Sequence, residues 1–409
     1  MKFAKNINMK KKIVKPADQI QDLQYFGEYG GVNPSIADSS TFTYLAGKTM
    51  GDVFEGNREG CYLYSRHTNP STSYLGEALA KMEYLNASIL TSSGMAAISS
   101  AILEICSSGD HIVSSRTVYG GTYALMKNYL KKFNINTSFV DITDYTKIEK
   151  AITKNTKIIY CETISNPLLE VADLNKLSEI AKKNNLKLVV DNTFTPLIFT
   201  PAKMGADIVI HSLTKFINGS SDTVGGVICS NEEFISNLID VNSGSAMLLG
   251  PVMDSFRAAS ILKNLRTLHI RMKQHSRNAL FLSKKLTEAG YKIIYPGLKN
   301  HPQHNIMTNL INTEFGYGGI FVLDAKNEIN ANKLMESMQN ENLGYLAVSL
   351  GFYKTLFSAP GLSTSSEIPV EERSTIGLSD GLVRISIGLD NNIERTYDKI
   401  ISCLKKNNI

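Results

Sequence analysis

Through the middle of this chain, short apolar runs alternate with stretches of helical periodicity. His111-Ile112-Val113, Lys157-Ile158-Ile159-Tyr160, Leu186-Lys187-Leu188-Val189-Val190, Asp207-Ile208-Val209-Ile210 and Gly226-Val227-Ile228 are rich in β-branched residues and show little apolar–polar alternation. Runs of that kind suit strands buried on both faces. Between the second and third, Leu174, Leu177, Ile180 and Ala181 fall on one face of a helix. Strand–helix–strand units of this length predict an α/β fold, with a mostly parallel sheet sandwiched by helices.

The flanks read differently. Residues 1–67 are irregular and rich in Gly, Asn, Ser and Thr, as in Gly30-Gly31-Val32-Asn33-Pro34-Ser35. They predict an N-terminal extended arm rather than a domain. The strand–helix pattern fills a large domain over 68–266. A long basic amphipathic stretch, Arg266–Lys285, then opens a smaller C-terminal α+β domain over 267–409. A chain of 409 residues is too long for one core, so two domains plus an arm is the natural division.

Composition narrows the partners. The chain is 43% hydrophobic and 20% charged, ordinary for a soluble globular protein, and has no apolar run of membrane-spanning length. A cytoplasmic protein with no membrane partner is expected. The net charge of +5 suggests nucleic acid only until its placement is seen. Lys2, Lys5, Lys10, Lys11, Lys12 and Lys15 all precede the first acid, Asp18. The rest is nearly neutral, and no nucleic-acid partner is expected; the tail reads as a frayed terminus. The five cysteines form no C-x-x-C pair, which suits free buried thiols in a reducing compartment and gives no reason to expect a metal.

The candidate chemistry lies where open parallel sheets bind ligands, beyond the carboxyl ends of the strands. Asp191 follows Leu188-Val189-Val190, and Lys215 follows Val209-Ile210-His211-Ser212-Leu213-Thr214. One strand–helix step separates them, so the topology puts them on the same sheet edge. Alone, such a pair is as readily a salt bridge. Ser212 and Thr214 add two hydroxyls, and Ser93-Gly94-Met95 opens a helical run whose free amides suit a phosphate. Tyr119, in Val118-Tyr119-Gly120-Gly121-Thr122, follows another strand and is placed to stack on a ring. An amine for an aldehyde, a carboxylate for a ring nitrogen and a phosphate seat are together what pyridoxal phosphate requires. A nicotinamide dehydrogenase would share the sheet pattern, but no G-x-G-x-x-G turn follows the first strand.

The motifs Tyr64-Ser65-Arg66-His67-Thr68-Asn69-Pro70, Ser92-Ser93-Gly94-Met95, Tyr119-Gly120-Gly121-Thr122, Glu162-Thr163-Ile164-Ser165-Asn166-Pro167, Val190-Asp191-Asn192-Thr193, His211-Ser212-Leu213-Thr214-Lys215 and Gly381-Leu382-Val383-Arg384-Ile385-Ser386-Ile387-Gly388 carry a resemblance. By them the chain resembles the Cys/Met-metabolism (trans-sulfuration) family of fold-type-I pyridoxal-phosphate enzymes. That family holds methionine γ-lyases, cystathionine lyases and synthases, and O-acylhomoserine sulfhydrylases. Segments such as Tyr29–Ser39 and Ser349–Leu356 are most similar to methionine γ-lyases of the plant type.

The resemblance implies roles. Lys215 is the Schiff-base lysine and proton shuttle, and Asp191 binds the ring nitrogen. Gly94, Met95, Ser212 and Thr214 hold the phosphate. Tyr64 and Arg66 reach the phosphate of a neighbouring subunit, in a homotetramer built as a dimer of dimers with shared active sites. Tyr119 stacks on the ring and serves as acid to the leaving group, Asn166 bonds the phenolic oxygen, and Arg384 with Ser349 holds the substrate carboxylate. Cystathionine γ-lyases carry charges where this chain has Leu63, Ala124 and Val348; apolar residues there imply a methylthio group in the pocket. The expected reaction is α,γ-elimination of L-methionine to methanethiol, 2-oxobutanoate and ammonia. Cystathionine γ-lyase, cystathionine γ-synthase and O-acetylhomoserine sulfhydrylase remain open, because they share the cofactor residues. Bacterial methionine γ-lyases usually have Cys where this chain has Gly121, and the family often has Thr where it has Ser71.

Overall fold

A run with no polar face must be covered on both sides, and the central strands are. The computed structural model describes residues 15–55, 60–363, 371, 373 and 377–409. Its first sheet holds β1 (Ala87–Thr91), β2 (His111–Ser115), β3 (Asn136–Val140), β4 (Thr156–Glu162), β5 (Lys187–Asp191), β6 (Ile208–Ser212) and β7 (Gly226–Ser230), in the order β1-β7-β6-β5-β4-β2-β3. From β3 to β6 every pairing is parallel, and β7 runs antiparallel between β6 and β1. Ile158, Ile159, Leu188, Val189, Val190, Val209 and Ile210 are all fully buried, as their unbroken apolar runs predict.

The helices begin where side chains can cap them. Asn69 accepts the Ser71 N–H at 2.9 Å ahead of α1 (Pro70–Met82), whose first residue is the proline such a start favours. Ser93 accepts the Ala96 N–H at 3.1 Å ahead of α2 (Gly94–Ile105). Asp173 does the same for Lys176 ahead of α3 (Leu174–Lys183). The four residues predicted to share one face of α3 are buried.

A second sheet holds β8 (Ile293–Ile294), β9 (Ile320–Asp324), β10 (Gly344–Leu346), β11 (Thr355–Ser358) and β12 (Leu382–Ser386), in the order β10-β11-β12-β9-β8. Only its β10–β11 pairing is parallel. The basic stretch forms α4 (Leu268–Glu288). Leu268 and Met272 pack into the core of the first sheet, and Ala279, Leu282 and Leu286 into that of the second. One helix therefore ties the two layers.

The N-terminal region is less irregular than its composition suggests. It holds short helices, Pro16–Gln21 and Gly47–Phe54, between extended segments. Phe26, Tyr29, Val32 and Leu45 lie exposed on it. The lysine-rich tail, apart from Lys15, lies outside the described residues; Lys15 is paired with Glu314 at 2.5 Å. No helix among the described residues is long and apolar enough to cross a membrane.

Candidate active site

Three neighbouring strands end together in a cavity of about 400 Å³. β4 ends on Glu162 and β5 on Asp191, and these two residues are register partners. β6 ends on Ser212, and the turn after it carries Lys215. From the second sheet, β12 brings Arg384 into the same space, and the loop after β10 brings Val348 and Ser349. That loop sits on the lysine turn. Gly351 has φ of +78°, and a Cβ there would lie 2.6 Å from the Phe216 amide nitrogen. Lys215 Nζ then donates to Ser349 Oγ at 3.1 Å.

The helix start is equally close. A Cβ on Gly94 would meet that of Ser212 at 2.7 Å, so only glycine lets α2 begin against the end of β6. Ser93 takes the Ala96 N–H with its hydroxyl and the Ala97 N–H with its carbonyl. The Gly94 and Met95 amides, at the positive end of the helix, are left for an anion.

Charge in the cavity is perturbed by burial. Burial, and the nearby Arg384 guanidinium, bring the Lys215 ammonium down to about 8. Burial also lowers Arg384, to about 10. Arg384 donates to Asn166 Oδ1 at 3.0 Å and to the Ser349 carbonyl at 3.3 Å. Among the described residues no carboxylate forms an ion pair with it, so a buried guanidinium stands ready for an anionic group from outside the chain. Burial raises the Asp191 carboxyl above its ordinary value, while two hydrogen bonds from Thr193 pull it back. Burial first, and the Asp191 charge second, raise Glu162.

Eleven of the residues singled out in the sequence line this one cavity: Gly94, Met95, Tyr119, Asn166, Asp191, Ser212, Thr214, Lys215, Val348, Ser349 and Arg384. Leu63, Tyr64 and Arg66 do not, and neither does Ala124. Arg66 instead donates to the Met247 carbonyl at 3.2 Å and stands over the Tyr64 ring, 5.6 Å from its centroid. Glu162, Thr193, Phe194, Ile164, Val224 and Leu350 line the cavity without having been singled out individually. The strand-end rule that found Asp191 applies equally to Glu162, the last residue of the neighbouring strand. The others are apolar or loop residues, with no signal apart from position.

These residues fit pyridoxal phosphate. A lysine inclined to lose its proton, a buried carboxylate in the same cavity, and a helix start closed down onto Ser212 would supply an amine, a partner for the ring nitrogen and a phosphate seat. The family model for Cys/Met metabolism PLP-dependent enzymes matches residues 18–401. The chain belongs to that family. Its cofactor is pyridoxal phosphate. A methionine gamma-lyase of Arabidopsis thaliana is 43% identical over 389 residues, covering 93% of this chain and 88% of that protein. An L-methionine gamma-lyase of Fusobacterium nucleatum subsp. polymorphum is 38% identical, covering 91% of this chain and 95% of that protein. Among solved structures, a Campylobacter jejuni protein named as an O-acetylhomoserine (thiol)-lyase, with N'-pyridoxyl-lysine-5'-monophosphate, superposes with a TM-score of 0.87 at 28% identity. It covers 96% of this chain, which covers all of that one. Family membership accounts for the α/β architecture.

Proposed function

We propose that this enzyme catalyses α,γ-elimination of L-methionine, giving methanethiol, 2-oxobutanoate and ammonia. One observation carries the choice of substrate. Among the described residues, the acidic and basic ones lining the cavity are Glu162, Asp191, Lys215 and Arg384, and each has a use. Glu162 accepts two backbone amides; Asp191 would serve the cofactor's ring nitrogen, Lys215 would hold the cofactor, and Arg384 would take the substrate carboxylate. The rest of the described lining carries no charge and includes Ile164, Phe194, Val224, Val348 and Leu350. Cystathionine would bring a second ammonium and a second carboxylate into that wall unpaired, at a heavy cost. A methylthio group enters without it. The similarity to proteins named methionine gamma-lyase supports the same reading.

When bound, the cofactor supplies an electron sink for negative charge developing on the substrate. Arg384 fixes the substrate carboxylate by a two-pronged contact. Lys215 Nζ would remove the proton at Cα, pass that proton on to the cofactor and, as a free amine again, remove the proton at Cβ, which its depressed pKa favours. Tyr119 protonates the departing sulfur at Cγ. Asp191 keeps the ring nitrogen protonated, and Asn166 bonds the phenolic oxygen. Gly94, Met95, Ser212 and Thr214 hold the phosphate. Tyr64 and Arg66 serve the phosphate of a partner copy, in a homotetramer assembled as a dimer of dimers, with 1–67 as the intersubunit arm. The enzyme works in the cytoplasm, where its five unpaired thiols stay reduced.

The test is competition among methionine, cystathionine, and O-acetylhomoserine with sulfide, read as kcat/KM for each. Methionine is expected to lead, with methanethiol and 2-oxobutanoate formed in equal amounts. A higher kcat/KM for cystathionine, or rapid sulfide incorporation with negligible methanethiol, overturns the proposal.

A further inference from the structure

Glu162 is a buried carboxylate to which the steps above assign no proton and no contact with substrate. Its two oxygens are nevertheless divided between two of the loops that line the site. Oε1 accepts the Tyr119 N–H at 2.6 Å, and Oε2 accepts the Asn166 N–H at 3.0 Å. From Asn166 the connection continues through its side chain to Arg384 at 3.0 Å, then from Arg384 to the Ser349 carbonyl at 3.3 Å. Ser349 in turn meets Lys215 Nζ at 3.1 Å. Five of the predicted site residues thus hang on one hydrogen-bonded chain, and Glu162 joins its two halves.

We propose that Glu162 is a positioning residue: its paired oxygens lock the Tyr119 turn and the Asn166–Arg384 pair into one register. The inference rests on Tyr119 and Arg384 acting as described under Proposed function. Two facts favour it over mere satisfaction of two backbone amides. First, the position is costly for a carboxylate. Glu162 lies beside Asp191 at the end of the sheet, and burial and that neighbour both work against its charge. Second, no other side chain reproduces the contact. Glutamine turns one acceptor into an NH₂ donor, which faces an N–H whichever way the amide is turned. Aspartate keeps both acceptors but is one methylene short.

The experiment compares Glu162→Gln and Glu162→Asp with the wild-type holoenzyme, each alone and with Tyr119→Phe. The readouts are cofactor loading, visible circular dichroism of the bound cofactor, and kcat and KM for methionine. Both single variants are expected to load the cofactor, because Lys215, Asp191 and the phosphate seat are untouched, and to change its dichroism. kcat/KM falls about tenfold to a hundredfold, the consequence of one buried N–H left unpaired. The loss divides: KM rises through the Arg384 half and kcat falls through the Tyr119 half. In the Tyr119→Phe background the kcat component shrinks to about twofold or less, while the KM component persists. Unchanged dichroism with unchanged kcat and KM overturns the inference. So does an undiminished kcat effect beside Tyr119→Phe, or failure of both single variants to load the cofactor. If the wild-type holoenzyme releases no methanethiol from methionine, the substrate reading fails instead, and the dichroism still decides the role of Glu162.

Discussion

Replacing Arg384 with lysine keeps a cation and removes the fork. The guanidinium is buried, has no carboxylate partner among the described residues, and lines the cavity while bonding Asn166 and the Ser349 carbonyl. A substrate carboxylate bound there gains two charge-assisted hydrogen bonds, and an ammonium retains about one. One such bond is worth about 1.5–3 kcal/mol, or about 10- to 150-fold in kcat/KM. Losing a donor to Asn166 Oδ1 adds to the deficit. Steady-state release of methanethiol is expected to show the loss mainly as a higher KM. Cofactor affinity, followed by titrating the apoprotein, should barely change, because the residues proposed to seat the phosphate lie on α2, at the end of β6 and in the turn after it. Arg384→Ala provides a second reading. The guanidinium helps to depress Lys215, so its removal raises the lysine above about 8, and capture of the aldehyde near neutral pH slows. An Arg384→Lys enzyme with wild-type KM, or cofactor loss in place of substrate loss, would refute the assignment.

Two further outcomes are expected. If Tyr64 and Arg66 act across an interface, mixing Arg66→Ala with Lys215→Ala subunits should restore activity that neither has alone, since some sites then hold both residues; verified subunit exchange without recovery excludes sharing. Stability should also respond to His275, which is fully buried, donates from Nδ1 to the Ile387 carbonyl at 2.7 Å, and is lowered by burial from 6.5 to about 4. Because the unfolded chain binds this proton first, stability is complete above about 6.5 and declines as pH falls toward about 4; denaturant unfolding of His275→Gln should show a shallower acid slope, and an unchanged slope rules the histidine out as a contributor.

Much of the site was legible because one chemical and one topological rule agree. Lys215 and Asp191 are reactive residues placed just after or at the end of all-apolar strands, and a parallel sheet brings such ends to one edge. Ser93-Gly94-Met95 was legible for a related reason, since a helix start is written locally in its capping residue. The fold class followed from runs of branched residues too apolar to face water.

What the sequence could not decide is a matter of side-chain direction and of distance across the molecule. Nothing local in Arg384, Ser349 or Val348 says that the second sheet lays them over the first; only family resemblance named them, and the packing of the Gly351 turn on the Phe216 backbone brings them there. Glu162 passed unmarked because a strand-end carboxylate looks the same whether it faces solvent or divides its oxygens between two loops. Leu63, Tyr64 and Arg66 mark the other boundary. Tyr64 and Arg66 belong to a motif that carries the same resemblance as those of the cavity residues, with Leu63 just before it, yet the single chain folds Arg66 onto Met247, away from the cavity. Local pattern determines which elements form, because helix and strand periodicity are properties of neighbouring residues. The meeting of their ends depends on how whole layers pack, which no single segment contains.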